Sequence, residues 1–270
     1  MLQYEFMQNA FIVATVISIL CGVIGVFITI RHLSFLTHTL SEIGFAGASF
    51  GLWLGWTPLN GMLLFTIFSA LAAGTANRNR PLKSTVISLI SAFFMGLGVL
   101  FLSISQANSS YATNILFGSI VGISNHDVIQ ILLIALGELV VVFLLYRRLK
   151  FTFFDPLGAQ NSIRHSWAIN LLFLIMMSLS VSVVSQIVGS LLVFALLTLP
   201  AAAAQFFGRS TSSLIGLSIV FALVGTWLGL FLGYLTNLPV TFFITTVETI
   251  IYLGSALINK SLTLGIFHKS

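Results

Sequence analysis

WAINLLFLIMMSLSVSVVSQIVGSLLVFALLTLPAAAAQFF, residues 167–207, runs for about forty residues without a charged side chain. One membrane crossing takes about 20 apolar residues, so the stretch is too long for a single span and suits two. Ser185, Gln186, Gly189 and Ser190 offer the turn between them. Arg164 and Arg209 flank the stretch. Basic residues collect on the cytoplasmic side of a membrane, so an even number of crossings between them puts both flanks on one face.

Outward from that stretch the chain keeps the same character. Of 270 residues, 58% are hydrophobic and 6% are charged, with a mean hydropathy of +1.10. Soluble domains carry about 25% charged residues. The composition predicts an all-α, polytopic protein of the cell membrane, a single transmembrane domain over residues 1–270 with no room for a soluble catalytic domain. The net charge of +5 is read as topology and not as a nucleic-acid footprint. Cys21 is the one cysteine, which excludes an intrachain disulfide and a thiolate cluster.

The spacing predicts about nine spans. Residues 11–30 are preceded by Glu5 and by no Lys or Arg, so they read as a retained first span and not as a cleaved leader. Residues 33–53 follow as the second, and a third begins after Thr57, Pro58, Leu59 and Asn60 and runs to about Ala76. The fourth covers 84–105, the fifth 128–146, the sixth and seventh the stretch quoted above, the eighth 212–235 and the ninth 240–258. Residues 115–123 are apolar but too short to cross, and predict a short re-entrant or surface helix. With the N-terminus outside and the C-terminus cytoplasmic, all eleven Lys and Arg fall in the loops after spans 1, 3, 5 and 7 or at the C-terminus. The positive-inside rule is then satisfied without exception.

An acidic side chain at mid-span costs on the order of 2.5 to 3.5 kcal/mol on insertion scales, so each one needs a reason. On the second span Ser34, Thr37, His38, Ser41 and Glu42 recur at helical spacing as one polar stripe. Such a stripe faces protein or water, not lipid. His38 and Glu42, one turn apart, can offer an imidazole nitrogen and a carboxylate to one divalent cation. The pair equally suits hydrogen bonding, to each other or to neighbouring helices. Gly44, Gly47, Ala48, Gly51 and Gly55 form a small-residue face for close helix packing, which predicts a central position for this helix. Glu138 and Glu248 read as buried, hydrogen-bonded or protonated carboxyls. His126 and Asp127 read as a helix start capped by Ser124, with Asp127 three residues on. No Walker A loop, G-x-S-x-G or H-E-x-x-H motif is present, so any ATP hydrolysis belongs to another chain.

The stretch RHLSFLTHTLSEIGFAGASFG resembles the early signature of the metal-ion permease family of ABC importers, the membrane subunits of zinc and manganese uptake systems. IVGSLLVFALLTLPAAAAQFFGRS is similar to a longer segment of that family, with Pro200 in its expected place, and ILFGSIVGIS, FDPLGAQ and LGLFLGYLTNLP look like further elements in order. His38 stands where the family pattern has Asp and Glu42 where it has His. Asn237 stands where an acidic residue is common.

The resemblance implies a permease subunit of an importer of divalent metal ions, manganese or zinc. It implies that His38 and Glu42 contact the ion, that Ser34, Thr37 and Ser41 line the pathway, and that Mn²⁺ or Zn²⁺ is cargo, with no cofactor permanently bound. The implied partners are a second copy in a homodimer, cytoplasmic ATP-binding cassette ATPase subunits, and an extracellular or periplasmic metal-binding protein, all set in the lipid bilayer without nucleic acid. Asp155, Pro156, Ala159, Gln160 and Arg164, in the loop from Asp155 to His165, would seat in the ATPase, with Arg78, Arg80 and Lys83 as a secondary contact. Two other readings stand beside it: a permease for a metal chelate of siderophore or cobalamin type, and a membrane anchor that moves nothing. The polar stripe argues against the anchor.

Overall fold

The computed structural model describes residues 5–76, 84–105, 114–118, 125–154 and 166–267. Among them the regular structure is helical throughout: α1 (Glu5–Ile30), α2 (Ser34–Trp53), α3 (Pro58–Ala76), α4 (Ser84–Ile104), α5 (Asn125–Phe154), α6 (Ser166–Val188), α7 (Val193–Ala204), α8 (Thr211–Thr236) and α9 (Val240–Phe267). A single helical turn occupies 114–117.

Local chemistry explains the ends of these helices. α3 opens on Pro58, whose missing N–H is no loss at a first helical position. Ser210 caps α8 by accepting from the Ser213 N–H at 3.3 Å. Asn237 closes α8 in the left-handed conformation, which Asn tolerates better than most residues, and Pro239 follows where no helix can continue.

Among the described residues seven helices, α1, α3, α4, α5, α6, α8 and α9, are long and apolar enough to cross a membrane. The two others differ in kind. α2 has the length, 20 residues, but its Ser, Thr, His and Glu side chains lower its hydropathy. α7 has 12 residues, about 18 Å at 1.5 Å per residue, short of a hydrocarbon core of about 30 Å. The expected seventh span is therefore a short helix. The first part of its connection to α6 is buried as well, with Gly189 and Ser190 enclosed and Leu191 at the surface. A buried break must satisfy its own backbone, and here the N–H groups of Ser190 and Leu191 donate to the carbonyls of Ile115 and Leu116 at 3.0 and 3.1 Å. Gly118 and Gly189, both at positive φ, allow the two backbones to meet, since a Cβ on either would strike the other segment. Segment 114–118 is thus an internal plug against the break, with Ile115 packed on Phe45, Ala48 and Met62. Residues 119–123 of the expected short helix lie outside the described residues.

The chain divides into two compact units, Met1–Thr29 with Ala195–Ser270, and Ile30–Phe194. In the second unit α2 is central, packed on α3, α4 and α6. Gly47 of α2 lies against the Gly61 backbone of α3 so closely that neither could carry a side chain. Gly44 and Gly51 continue this contact, whereas Gly55 has open space around it and a φ of +75°. It serves the turn after α2 and not the packing face.

The ends of the helices in this unit sort into two levels. At one, the Arg31 guanidinium donates to Asn170 Oδ1 at 2.9 Å and lies 4.4 Å over the Phe153 ring, while Trp167 Nε1 donates to the Gly74 carbonyl at 3.3 Å. At the other, Gln130 Nε2 donates to Asn60 Oδ1 at 3.1 Å. The starts of α2 and α6 and the ends of α3 and α5 share the first level, and the starts of α3 and α5 share the second.

In the first unit α1 packs on α7 at Gly25, which sits on the Leu197 carbonyl, and on α8 at Gly22. Ser18 and Thr226 hydroxyls meet at 2.7 Å between α1 and α8. Along α8, Gly225, Gly229 and Gly233 take Glu248, Ile244 and Val240 of α9 directly onto the backbone.

Candidate functional site

The polar stripe of α2 is divided by its packing. Thr37 and Ser41 are fully buried. The Thr37 hydroxyl lies 3.2 Å from the Leu33 carbonyl and 3.5 Å from Met177 Sδ, and the Ser41 hydroxyl donates to the Ser190 carbonyl in the α6–α7 break. These two fasten α2 to α6 and to the break. Ser34 is half-buried at the helix start.

His38 and Glu42 are left open. Their side chains are 43% and 16% exposed, and His38 Nδ1 lies 3.7 Å from Glu42 Oε1. That separation is too long for a hydrogen bond, so the pair is held by charge alone when the imidazole is protonated. Glu42 Oε2 is buried without a hydrogen-bond partner among the described residues. Phe194 meets the imidazole edge-on, with ring centroids 5.8 Å apart. The α6–α7 break therefore approaches the stripe at two points, Ser190 at Ser41 and Phe194 at His38. A helix break beside a polar pair at membrane depth is how a carrier exposes liganding groups without exposing backbone to lipid. Among the described residues no group of three or more His, Cys, Asp or Glu side chains comes together. Two such side chains fall short of the four ligands of a closed tetrahedral metal site.

Glu138 and Glu248 are enclosed. The Ser180 hydroxyl donates to Glu138 Oε1 at 2.5 Å, and Glu138 is 3% exposed. Glu248 is fully buried against Gly225, with neither oxygen hydrogen-bonded among the described residues. The Ser124 cap, the Arg78 to Lys83 loop and the expected ATPase-coupling residues Asp155, Pro156, Ala159, Gln160 and Arg164 lie outside the described residues. The sequence carried no sign that Phe194 and Met177 would touch the stripe, because both sit in an uncharged run read only for its length. Gly189 and Ser190 were visible as a turn, but not as a buried one.

The ABC 3 transport family matches over residues 3–259. The chain belongs to that family. The metal-ion permease resemblance in the sequence is borne out, and the chain is an integral, multi-pass membrane permease of ABC type. It is 30% identical to the manganese import system permease protein ScaB of Streptococcus parasanguinis, over 94% of this chain and 90% of that one. It is also 30% identical to the manganese transport system membrane protein MntC of Listeria monocytogenes, over 93% and 90%. The solved structure of PsaBC from Streptococcus pneumoniae in complex with Fab superimposes with a TM-score of 0.85 at 28% identity, covering 93% of this chain and 91% of that chain.

Proposed function

We propose that the chain carries Mn²⁺ inward across the cell membrane as the permease of an ABC importer, using His38 and Glu42 as transient ligands. The observation that carries the reading is the open imidazole–carboxylate pair on the central helix of a member of this family. Two ligands each about 2.1 Å from one ion stand roughly 3 to 3.4 Å apart, so a separation of 3.7 Å needs only a small side-chain adjustment to grip a cation. A pathway site must release its ion, and a mixed nitrogen–oxygen half shell binds loosely enough to do so. A facing pair from a second copy would complete four ligands by two-fold symmetry. Such a set accepts Zn²⁺ as well and by affinity order prefers it, so selection for manganese falls to an external binding protein. The manganese systems named among the relatives favour the free ion over a chelate.

The nine-span topology belongs to the same proposal, with the short α7 and the break before it together making the seventh crossing. The two levels of helix ends in unit Ile30–Phe194 support crossings in which α2 and α6 run opposite to α3 and α5, and the distribution of the eleven Lys and Arg sets the direction. ATP hydrolysis is assigned to a separate cytoplasmic chain docked on the Asp155 to His165 loop.

Uptake of radiolabelled manganese by cells carrying the complete transporter, against cells lacking only this chain, tests the function; equal uptake would refute it. For orientation, a cysteine at Asn60, with Cys21 replaced, should react with an impermeant thiol reagent in intact cells and one at Asn79 should not. Labelling of Asn79 from outside would overturn the topology.

A further inference from the structure

The break between α6 and α7 meets the stripe of α2 in a definite register. The Ser41 hydroxyl donates to the Ser190 carbonyl, and Phe194 stands edge-on to the His38 ring, with centroids 5.8 Å apart. From the first contact to the second, α2 steps back three residues while the other segment steps forward four, so the two run antiparallel over about one helical turn. Glu42 follows Ser41 and therefore lies at the Ser190 end of this contact, as His38 lies at the Phe194 end.

At the Ser190 end two oxygens are orphaned. Glu42 Oε2 and Ser190 Oγ are both buried without a hydrogen-bond partner among the described residues, and Ser190 is 4% exposed. Enclosing such groups unpaired is unfavourable, and a buried orphan calls for a partner of its own. An orphaned hydroxyl alone is not distinctive, since the fully buried Ser218 of α8 has one too. What sets Ser190 apart is its place, tied through its own carbonyl to the residue beside Glu42. Its N–H is spent on the Ile115 carbonyl at 3.0 Å and its carbonyl on Ser41. The backbone is thus fixed, and the hydroxyl is the polar group left over.

We propose that the Ser190 hydroxyl is a third ligand to the passing ion, an oxygen that the helix break contributes beside His38 and Glu42. A serine side chain has a single heavy-atom torsion with three staggered positions, so Oγ can turn toward a bound cation while the backbone stays in place. The inference rests on the reading of His38 and Glu42 as ligands and deepens it. One imidazole and one carboxylate from each of two copies give four donors, the number that Zn²⁺ prefers in tetrahedral sites. Ser190 from each copy raises the set to six with oxygen in the majority, which suits the octahedral, oxygen-rich preference of Mn²⁺. The break would then add discrimination within the membrane to the selection made outside.

ATP-driven Mn²⁺ uptake into proteoliposomes holding the complete transporter tests it, with every protein in a Cys21→Ser background. Ser190→Ala should lower the uptake rate at least about tenfold, the smallest loss expected even of an outer partner in a metal site, with an unchanged melting temperature. Ser218→Ala, which removes an equally buried and unpartnered hydroxyl, should stay near wild type. Ser190→Cys replaces the oxygen with a soft sulfur that favours Zn²⁺, so Zn²⁺ should block its uptake of Mn²⁺ at a concentration at least about tenfold below that needed for wild type. This second variant decides the matter if Ser190→Ala misfolds. Wild-type uptake by Ser190→Ala, an equal loss in Ser218→Ala, or unchanged Zn²⁺ sensitivity in Ser190→Cys would each overturn the proposal. Should His38→Ala and Glu42→Ala lose uptake while Ser190→Ala keeps it, the third ligand alone is refuted; wild-type rates in the His38 and Glu42 variants refute the site on which it rests.

Discussion

Glu42 and Glu248 each stand on a helix among apolar neighbours, yet Glu42 keeps 16% of its side chain exposed one turn from His38, whereas Glu248 is sealed against the Gly225 backbone. Glu138 belongs with Glu248, enclosed and tied to Ser180. The difference teaches that an acidic residue in a span is a poor sign of transport by itself. What separates the two kinds is the opening: a ligand for a passing ion needs a free lone pair that the ion can reach. The role proposed for Glu42 rests on such an opening, since its side chain stays 16% exposed one turn from His38. Glu248 fills the notch that Gly225 of α8 leaves for α9, and neither of its oxygens has a hydrogen-bond partner among the described residues.

The largest expected effect lies at the sealed site. Gly225→Leu would drive a side chain into the carboxylate end of Glu248, itself fully buried, and overpacking costs about 1–3 kcal/mol or more. The folded permease should fall sharply in membrane fractions, and normal levels of a monodisperse protein would show that α8 and α9 are not packed as described. Next comes Gly47→Leu, which should separate α2 from α3 at Gly61 and abolish uptake together with folding. Uptake lost with full thermal stability would instead place Gly47 in the pathway.

Glu248→Leu probes the contrast from the other direction. An unpaired buried polar group costs about 1–3 kcal/mol, so its removal should leave the melting temperature at or above that of wild type, with uptake retained. A large loss of uptake in a stable protein would move Glu248 into the mechanism. The smallest effect is expected of Glu138→Gln, whose amide oxygen can still accept from Ser180. Uptake and melting temperature should stay near wild type, and a severe transport defect would break the grouping of Glu138 with Glu248.

Much of this was legible in the sequence for definite physical reasons. The helical class follows from apolar runs of membrane length, and the centrality of α2 from glycines at Gly44, Gly47 and Gly51 that demand a close neighbour. The pairing of His38 with Glu42 follows from one-turn spacing. The short α7 was hidden, because 41 uncharged residues look like two spans whether their break lies at the surface or in the interior. The N–H groups of Ser190 and Leu191 find their partners far off in sequence, at Ile115 and Leu116, and no local pattern announces them. Phe194 meets His38 for the same reason: it is brought there by the turn at Gly189, not by any spacing along α2.

The central claim, that the ion passes between His38 and Glu42, is tested most directly by ATP-driven manganese uptake into proteoliposomes holding the complete transporter. The variants are His38→Ala and Glu42→Ala, each checked for normal ATPase assembly and thermal stability. Each should lower the uptake rate by at least about tenfold, the loss of roughly 1.4 kcal/mol of ion stabilisation, while Glu138→Gln measured alongside stays close to wild type. Wild-type rates in both alanine variants would contradict the account and leave the pair as a polar contact on a packed helix.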